Sequence, residues 1–305
     1  MKTALVTGCA GFLGRYIVSG LRAAGWRVAG IGRGAVGLGR MLDVAYETSL
    51  PDAALDMAVR KERPILCVHA ASPSSVPESV ADPEFDFKYA LLPWVQLLDS
   101  LRRHVPDCRT ILLSSAAVYG QPDALPVGEA VKCRPISPYG FHRMYCEQLL
   151  DEYRLLYGMK GTSLRIFSAY GEGLHRQVVW DICTKALAGN KDIVLLGTGT
   201  ETRDFVHAED VAMAVCQVAQ QVDWHNVYNV ASGTEVAIRQ LAEQILSIIP
   251  GSPTLHFDGR ASLGMPIRWR ADITRMRELG YEPTRRWQEG VHEVVAACLR
   301  EVART

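Results

Sequence analysis

The sequence predicts an α/β fold with a doubly wound parallel sheet, followed by a smaller mixed α/β lobe. Short, fully apolar strands alternate with amphipathic helices over residues 1–167. This alternation is typical of a parallel sheet that is covered by helices on both faces. From residue 168 the pattern loosens into shorter elements. We therefore predict a larger domain over 1–167, to which the chain returns at about 205–230, and a smaller lobe over 168–204 and 231–305.

The predicted elements follow apolar runs and the turn residues that end them. A strand ends at Gly8, a helix ends at Gly25, and a long amphipathic helix at 83–104 contains Pro93, where we expect a kink. The first domain is predicted to have a strand at 3–8, a helix at 12–25, strands at 26–31, 64–71, 109–115 and 161–171, and a helix at about 137–157. The rest is predicted to hold helices at 178–188 and 236–248, a strand at 193–196, a strand–helix–strand unit over 203–231, and a final helix from about Arg286.

The composition excludes several classes of protein. The chain has 305 residues, 48% of them hydrophobic and 22% charged, with a formal net charge of zero. These values are ordinary for a soluble globular protein and give no reason to expect nucleic acid or an acidic membrane surface as a partner. No apolar run approaches the ~20 residues of a membrane span. The glycine-rich start fits a folded strand better than a secretion signal, so we predict a cytoplasmic protein.

The cysteines and histidines do not predict a metal site. None of the eight cysteines forms a CxxC pair, and no histidine cluster has the spacing of metal ligands. Most cysteines lie among apolar neighbours. We expect buried free thiols and no metal.

A glycine-rich loop predicts dinucleotide binding. In "TGCAGFLG", Gly8, Gly11 and Gly14 follow the first strand, and Phe12 and Leu13 begin the first helix. A pyrophosphate must contact backbone N–H groups at such a helix start, where a Cβ atom would hold it away. The spacing is G-x-x-G-x-x-G, not the G-x-G-x-x-G of the common fingerprint. Its position between strand and helix nevertheless favours a cofactor loop over a merely tight turn.

The end of the second strand favours NADP, with NAD as the alternative. Proteins that bind NAD usually place an acid there for the ribose 2′-hydroxyl. Here Gly32 and Arg33 occupy the strand end, and a guanidinium suits a 2′-phosphate. In the alternative, Arg33 is a solvated loop residue and another segment supplies the acid. Asp43, followed by Val44, is a candidate for contacting the adenine, although a lone acid could equally belong to a turn.

Tyr139 and Arg143 lie four residues apart where a helix is predicted to begin. Residues at i and i+4 share one face of a helix, so the phenol is expected beside a permanently charged guanidinium. This pair is either an inert surface contact or a tyrosine prepared to transfer a proton.

Three motifs in this order, "TGCAGFLG", "LLSSAAVYG" and "SPYGFHRMYCEQ", resemble those of the extended short-chain dehydrogenase/reductases, and specifically the nucleotide-sugar epimerase/dehydratase family. The segments "VHAA", "LRIFSAYGEG", "GTGTETRDFVHAEDVAMAV" and "VYNVASG" extend the resemblance over nearly the whole chain. It implies a Rossmann domain with a C-terminal lobe that holds a nucleotide-diphosphate sugar. It also implies hydride transfer between a nicotinamide and a sugar carbon.

The resemblance assigns the catalytic roles. Tyr139 matches the family's proton-transferring tyrosine, and Ser115 matches the serine that shares its hydrogen bond. Arg143 stands where the family has a lysine that grips the nicotinamide ribose, which is a departure. The positive charge is kept, but the planar guanidinium cannot copy the geometry of an ammonium. Ala70 and Ala71, in "VHAA", match cofactor-contacting positions.

The same resemblance narrows the reaction. Family 4,6-dehydratases carry an Asp-Glu pair directly after the serine or threonine, where this chain has Ala116 and Ala117. We therefore predict an epimerase or a ketoreductase. Cys133 and His175 are candidates for the proton donors of a 3- or 5-epimerase, although both residue types are more often packing or loop residues.

Several polar residues are candidates for binding the sugar nucleotide. Arginines can hold a diphosphate through paired N–H donors. The alternative is that these arginines form salt bridges to Asp204 and Asp272. Ser168 stands where the family often has an asparagine. The candidate arginines are Arg203, Arg268 and Arg270.

The predicted function is an NADP- or NAD-dependent epimerase or 4-ketoreductase that acts on a nucleotide-diphosphate sugar. A nicotinamide-binding sensor or partner protein that has lost its chemistry is the alternative, favoured only by the arginine at 143. The helices at 83–104 and 137–157 correspond to those through which family members pair, so a homodimer is predicted. A monomer with two well-covered helices is also compatible with these sequences.

Overall fold

The computed structural model describes residues 2–189, 191–249, 251, 253–260 and 264–302. Strands and helices alternate through the first half of the chain. Its elements are β1 (Thr3–Thr7), α1 (Phe12–Ala23), β2 (Arg27–Gly32), β3 (Val44–Glu47), α2 (Ala54–Glu62), β4 (Leu66–His69), α3 (Val76–Ala81), α4 (Pro83–His104), β5 (Arg109–Ser115), α5 (Pro138–Tyr157) and β6 (Gly161–Ile166). Two 3₁₀ segments, Val36–Met41 and Ala116–Tyr119, follow β2 and β5.

The second half has shorter elements. They are β7 (Ser168–Tyr170), α6 (Gln177–Leu187), β8 (Asp192–Leu195), β9 (Thr202–His207), α7 (Ala208–Gln220), β10 (Val227–Val230), β11 (Glu235–Ala237), α8 (Ile238–Ile248), β12 (Thr254–Phe257), α9 (Thr274–Arg277) and α10 (Trp287–Val302).

One seven-stranded sheet organises the larger domain. Its strand order is β10-β6-β5-β4-β1-β2-β3, and all of its strand pairs are parallel. The order reverses beside β1, so the carboxyl ends of β1 and β4 flank the crevice where ligands bind in such sheets. This confirms the predicted α/β fold with a doubly wound parallel sheet.

Two apolar cores cover the two faces of this sheet. Leu5 and Val6 are consecutive in β1 and point to opposite faces, as strand geometry requires. Val6 packs in the core that α1 and α7 complete, and Leu5 packs in the core that α2, α4 and α5 complete. Burial on both faces explains why these strands read as continuous apolar runs.

Two further sheets form the smaller lobe. One has the order β11-β9-β7, and the other pairs β8 with β12. The buried carboxylate of Asp204 joins distant parts of this lobe, because it accepts hydrogen bonds from the backbone amides of Ser232, Gly233 and Ala271 at 2.8–3.1 Å. Strand β9 lies in the lobe, so the chain rejoins the large domain at α7 and β10.

The observed boundaries agree with several predicted elements and differ at others. The helix at 83–104 and the strand at 109–115 have the predicted limits, and Pro93 is buried inside its helix. The predicted strand at 161–171 is two strands in different sheets, separated at Phe167, whose amide donates to the Val230 carbonyl. The short strand β3 and helix α2 were not predicted.

Within the described part of the chain, no helix combines the length and hydropathy needed to cross a bilayer. The same residues contain no group of three or more histidine, cysteine, aspartate or glutamate side chains placed to hold a metal ion.

Candidate functional site

The glycine loop forms a cradle between β1 and α1. Gly8 has a φ of +65°, and a Cβ atom placed on it would lie 2.7 Å from the amide nitrogen of Ala71. A Cβ on Gly14 would lie only 2.1 Å from the carbonyl oxygen of Gly8. Backbone therefore packs on backbone here, and no larger residue fits at either position. The loop lies against the backbone of Ala70 and Ala71, whose predicted contact with the cofactor stays a prediction.

The start of α1 is open to a ligand. Gly11 is its N-cap, and no side chain caps the helix. The first turn, which contains Phe12 and Leu13, therefore presents backbone N–H groups that need an acceptor. This cradle, formed by glycine backbone at a helix start, fits the pyrophosphate of a dinucleotide.

The loop after β2 lies against this cradle and donates hydrogen bonds to the carboxylate of Glu47, the last residue of β3. A Cβ on Gly32 would lie 3.4 Å from Gly8, and one on Gly34 would lie 3.3 Å from the Ala10 Cβ. Glu47, which pairs with Gly32 in the sheet, accepts hydrogen bonds from the amides of Gly34 at 2.5 Å and Val36 at 2.9 Å. Donation by these amides lowers the pKa of Glu47.

Arg33 is exposed and forms no ion pair with any described residue. The predicted contact of Arg33 with a 2′-phosphate stays a prediction, and Glu47, at the end of the neighbouring strand β3, is hydrogen-bonded to the same loop. Sequence reasoning missed Glu47. It belongs to a four-residue strand that was not predicted, and only the strand pairing brings it to the cofactor edge.

Asp43 and Val44 do not lie at that edge. Asp43 accepts a hydrogen bond from the amide of Val28 at 2.8 Å and forms an ion pair with Arg22 at 2.9 Å. Val28 lies near the beginning of β2, so Asp43 and Val44 are at the amino end of the sheet, opposite the glycine loop. The predicted adenine contact is therefore wrong, because Asp43 lies at the end of the sheet away from the glycine loop. Strand β3 begins at Val44 and ends at Glu47, and it is the Glu47 end that lies near the loop.

Tyr139 lies in the first turn of α5, which is fixed from two sides. Ser137 caps the helix by accepting from the amide of Gly140 at 3.2 Å, and the amide of Tyr139 donates to Ser79 Oγ at 3.1 Å. A Cβ on Gly140 would lie 2.6 Å from the carbonyl oxygen of Ala117. This close approach brings the turn that carries Tyr139 against the segment that follows Ser115.

Arg143 is buried beneath this turn, with 5% of its surface exposed. It donates to the carbonyl oxygens of Leu113 at 3.3 Å and Pro73 at 2.5 Å. Its guanidinium carbon lies 5.1 Å from the centre of the Tyr139 ring. Arg143 has no carboxylate partner among the described residues, so its charge is not neutralised by an ion pair.

His69 lies close to the same charge. Its Nδ1 is 2.8 Å from Thr7 Oγ1, and its ring stacks on Trp94 with centroids 4.8 Å apart. Its Nε2 is buried and has no hydrogen-bond partner among the described residues. Burial, and secondarily the charge of Arg143, lowers the pKa of His69 to about 3. The histidine is therefore neutral at physiological pH and is a further residue that the sequence did not single out.

Ser115 ends β5 and begins the 3₁₀ segment. Its Oγ accepts from the amide of Ala117 at 3.2 Å, which leaves the hydroxyl hydrogen available as a donor. Ala116 and Ala117 are buried and apolar. At these two positions the site therefore has no carboxylate that could serve as an acid or a base.

The smaller lobe contributes arginines with and without a described carboxylate partner. Arg203 is buried and donates to the carbonyl oxygens of Thr202 at 2.7 Å and Ile267 at 3.5 Å. Burial lowers its pKa to about 10, and no described carboxylate pairs with it. Arg268 instead forms a bidentate ion pair with Glu235.

Arg270 resembles Arg203 in having no described carboxylate partner, and its buried Nε has no hydrogen-bond partner in the described structure. The expected alternatives of pairing with Asp204 or Asp272 are not observed for either arginine. Ser168 begins β7 directly beyond the carboxyl end of β6, at the entry to the lobe. Arg203 and Arg270 thus remain available to a diphosphate, whereas Arg268 is already paired.

The two residues considered as alternative proton donors lie in different surroundings. Cys133 packs against the apolar core, and burial raises its pKa, which favours an inert thiol. His175 is exposed, its ring contacts Trp180 with the ring centres 4.6 Å apart, and it lies 3.2 Å from a carboxylate oxygen of Glu301 on α10. None of these contacts joins either residue to Tyr139.

Comparison with known proteins identifies the family. A family model, that of the NAD dependent epimerase/dehydratase family, matches residues 4–231. The chain belongs to this family. The UDP-glucose 4-epimerase of Mycolicibacterium smegmatis is 31% identical over 311 residues, which cover 97% of both proteins. The family predicted from the motifs is therefore confirmed.

Solved structures of UDP-glucose 4-epimerases have the same fold as this chain. Thermotoga maritima UDP-glucose 4-epimerase with UDP-glucose is 27% identical, with a TM-score of 0.89 over 98% of this chain and 99% of that one. Thermus thermophilus UDP-glucose 4-epimerase in complex with NAD is also 27% identical, with a TM-score of 0.85 over 97% and 99% of the two chains. Similar proteins thus bind NAD or a UDP-sugar.

Proposed function

We propose that this protein is a UDP-hexose 4-epimerase that uses a nicotinamide dinucleotide, with Tyr139 as the acid and base. The observation that carries this proposal is the buried guanidinium of Arg143, which lies 5.1 Å from the Tyr139 ring without a described carboxylate partner. A buried charge is costly unless it is paired, so an unpaired one is expected where function uses it.

Tyr139 would remove the proton from the sugar hydroxyl and later return it. As a base, Tyr139 carries negative charge on its phenolic oxygen before it takes this proton, and again after it gives the proton back. The guanidinium of Arg143 stabilises that charge without having to move, because its two carbonyl contacts hold it in place. Arg143 therefore fulfils the electrostatic part of the role that a lysine has elsewhere in the family.

Ser115 would orient the sugar oxygen. Its Oγ accepts from the Ala117 amide, so its hydroxyl hydrogen can be donated to the substrate. The bound dinucleotide supplies a hydride acceptor and donor at the sugar carbon. Neutral His69 keeps the ends of β1 and β4 together through Thr7 without adding a second positive charge.

The lobe that begins at Ser168 would hold the sugar nucleotide. Arg203 and Arg270 have no described carboxylate partners, which supports their role in binding the diphosphate. The buried alanines at 116 and 117 support epimerisation or reduction over dehydration, since elimination of water needs an acid and a base there.

A 4-ketoreductase is the second candidate. Arg33 is exposed beside the cofactor loop and free of described ion pairs, which supports NADP and hence net reduction. The two candidates share the roles of Tyr139 and Ser115 and differ in whether hydride returns to the sugar.

Product analysis distinguishes these candidates. The purified protein is incubated with UDP-glucose, UDP-N-acetylglucosamine or UDP-glucuronate, and the products are identified by proton NMR. In parallel, it is mixed with NADPH and a 4-keto sugar nucleotide, and absorbance of the reduced nicotinamide is followed. A 4-epimer without net loss of reduced cofactor supports the epimerase. Stoichiometric consumption of NADPH supports the reductase, whereas cofactor binding without either reaction supports a sensor.

A homodimer is also proposed, with α4 and α5 at the interface. These helices pack on each other and carry exposed aromatic residues that include Phe85, Phe87, Phe141 and Tyr145. Such a patch supports a protein interface. Light scattering should give twice the chain mass, and Phe85→Ser with Phe141→Ser should give the monomer mass. A wild-type monomer would exclude the proposed dimer.

A further inference from the structure

We propose that Glu47 is a specificity-determining residue of the cofactor site, and that it competes with a 2′-phosphate for the amides of Gly34 and Val36. The inference rests on the proposed function in assuming that a nicotinamide dinucleotide binds along the glycine loop. The inference goes beyond the proposed function because it assigns the choice between NAD and NADP to a carboxylate on β3. This carboxylate lies outside the loop that contains Arg33.

The first argument is one of position. The register of β2 and β3 sets Gly32 opposite Glu47, at the carboxyl end of both strands. Gly32 in turn packs against Gly8 of the glycine loop, and Gly34 packs against Ala10. Glu47 therefore lies at the edge where a dinucleotide that follows β1 reaches with its adenosine ribose.

The second argument is that Glu47 already uses the donors that a phosphate needs. Its two carboxylate oxygens accept from the amides of Gly34 and Val36 at 2.5 and 2.9 Å. Backbone N–H groups that converge on one anion in this way form a concave anion site. A carboxylate and a phosphate cannot both occupy these donors, and their negative charges repel each other.

The third argument is the positive charge of Arg33, which lies in the loop whose amides bind Glu47. Arg33 directly precedes Gly34, is exposed, and has no described ion pair, including none with Glu47. Arg33 therefore favours a 2′-phosphate, whereas Glu47 disfavours it. A ribose 2′-hydroxyl, by contrast, can donate to the Glu47 carboxylate without displacing it. The preference between the two cofactors follows from the balance of these two residues.

Equilibrium binding of the full-length protein tests this inference without measuring turnover. Dissociation constants for NADH and NADPH are determined by nicotinamide fluorescence for wild type, Glu47→Gln and Arg33→Ala. Loss of one competing charged acceptor should strengthen NADPH binding by about tenfold in Glu47→Gln and change NADH binding by less than about twofold. Arg33→Ala should weaken NADPH binding and leave NADH binding nearly unchanged.

Asp43→Asn is the matched control. Asp43 is also an exposed carboxylate beside β3 that accepts from a backbone amide, but it lies at the opposite end of the sheet. Its substitution should leave the NADPH-to-NADH ratio unchanged. Because Glu47 is exposed, the Gln variant is expected to fold, and circular dichroism checks this directly.

Two outcomes would overturn the inference in distinguishable ways. If both nucleotides bind but Glu47→Gln leaves their ratio unchanged or weakens NADPH binding, Glu47 does not compete with the phosphate and only this inference fails. If neither nucleotide binds to the wild-type protein, the proposed function fails and the inference fails with it.

Discussion

Two buried arginines lie beside tyrosines in this molecule, and their surroundings differ in one respect. Arg143 lies 5.1 Å from the ring of Tyr139, and Arg165 lies 4.7 Å from the ring of Tyr119. Both arginines are almost fully buried. Arg165 forms a bidentate ion pair with Glu147, at 2.7 and 3.0 Å for its closest contacts. Arg143 contacts only carbonyl oxygens among the described residues.

We therefore expect the two pairs to have different roles. The ion pair of Arg165 is completed by Ser114, which donates to the same Glu147 carboxylate at 2.6 Å. The phenol of Tyr119 is likewise satisfied, since it donates to Asn229 at 2.7 Å. In this matched cluster of Arg165, Glu147, Ser114 and Tyr119, the positive and negative charges are paired, which is the condition for a structural role. Around Tyr139 no described carboxylate matches the positive charge, which is the arrangement we expect if that charge stabilises a tyrosinate.

The largest expected effect is on turnover by Tyr139→Phe. Removal of the phenolic oxygen should lower kcat by about a thousandfold, or about 4 kcal/mol of activation free energy. Stability and nucleotide binding should remain near wild type. Steady-state kinetics with a UDP-hexose and nicotinamide fluorescence measure both quantities. Retained turnover would remove the distinction between the two tyrosines.

Glu147→Gln tests the matched cluster. It leaves Arg165 buried without its ion pair, which should lower the free energy of unfolding by about 3 kcal/mol. Denaturant unfolding measures this change. The folded fraction of the variant should turn over at the wild-type rate, because Glu147 belongs to the structural cluster. A neutral effect on stability would show that the matched ion pair contributes little.

Arg143→Met should show the reverse pattern. Loss of the cation should lower kcat by about a hundredfold. The free energy of unfolding should change by less than about 1 kcal/mol, because an apolar side chain of similar length replaces an unpaired buried charge. The comparison variant is Arg165→Met, which leaves the Glu147 carboxylate buried without its ion pair and should be clearly destabilised. If both variants lost equal stability, Arg143 would be a structural residue.

The pH dependence of stability should report the burial of His69. Its pKa is lowered to about 3 in the folded state, against about 6.5 when unfolded. The unfolded state thus binds the proton more readily, and stability is lost as the pH falls from about 6.5 towards 3. The loss should be about 1.4 kcal/mol for each pH unit in this window. In His69→Asn, the free energy of unfolding should lack this pH-dependent loss. If the free energy of unfolding fell equally with pH in both proteins, His69 would not be the group responsible.

The smallest effect is expected for Tyr119→Phe. The substitution removes the hydrogen bond to Asn229 and should cost about 1 kcal/mol of stability. It should leave kcat unchanged, because Tyr119 lies in the matched cluster. Thermal unfolding and steady-state kinetics measure the two quantities. A large loss of turnover would show that the two tyrosines are functionally connected.

The sequence predicted the parts of the site that depend on local order. The glycine loop follows directly from its strand and helix, and Tyr139 and Arg143 share a helical turn, so short-range spacing was sufficient. Ser115 was identified through the resemblance to the family, on a strand that its apolar run predicted. The resemblance of this chain to the family then supplied the expected catalytic roles, which spacing alone could not.

The remaining features depend on distant pairing. Glu47 lies opposite Gly32 only because β2 and β3 pair in one register, and the short segment "VAYE" gave no clear strand pattern. The position of Asp43 at the opposite end of the sheet depends on the same register. His69 became notable only when burial and the nearby Arg143 charge were known. These relations involve tertiary contacts that no local periodicity encodes.

The lobe next to the site is assembled from two stretches of chain that are far apart in sequence. Strand β9 lies between β7 and β11, and Asp204 on β9 is hydrogen-bonded by residues 232, 233 and 271. Neither stretch contains the whole of this arrangement. A chimaera that inherits its sugar preference from a relative must therefore receive both stretches together, since grafting either one alone would leave mismatched strands and an Asp204 carboxylate without its donors.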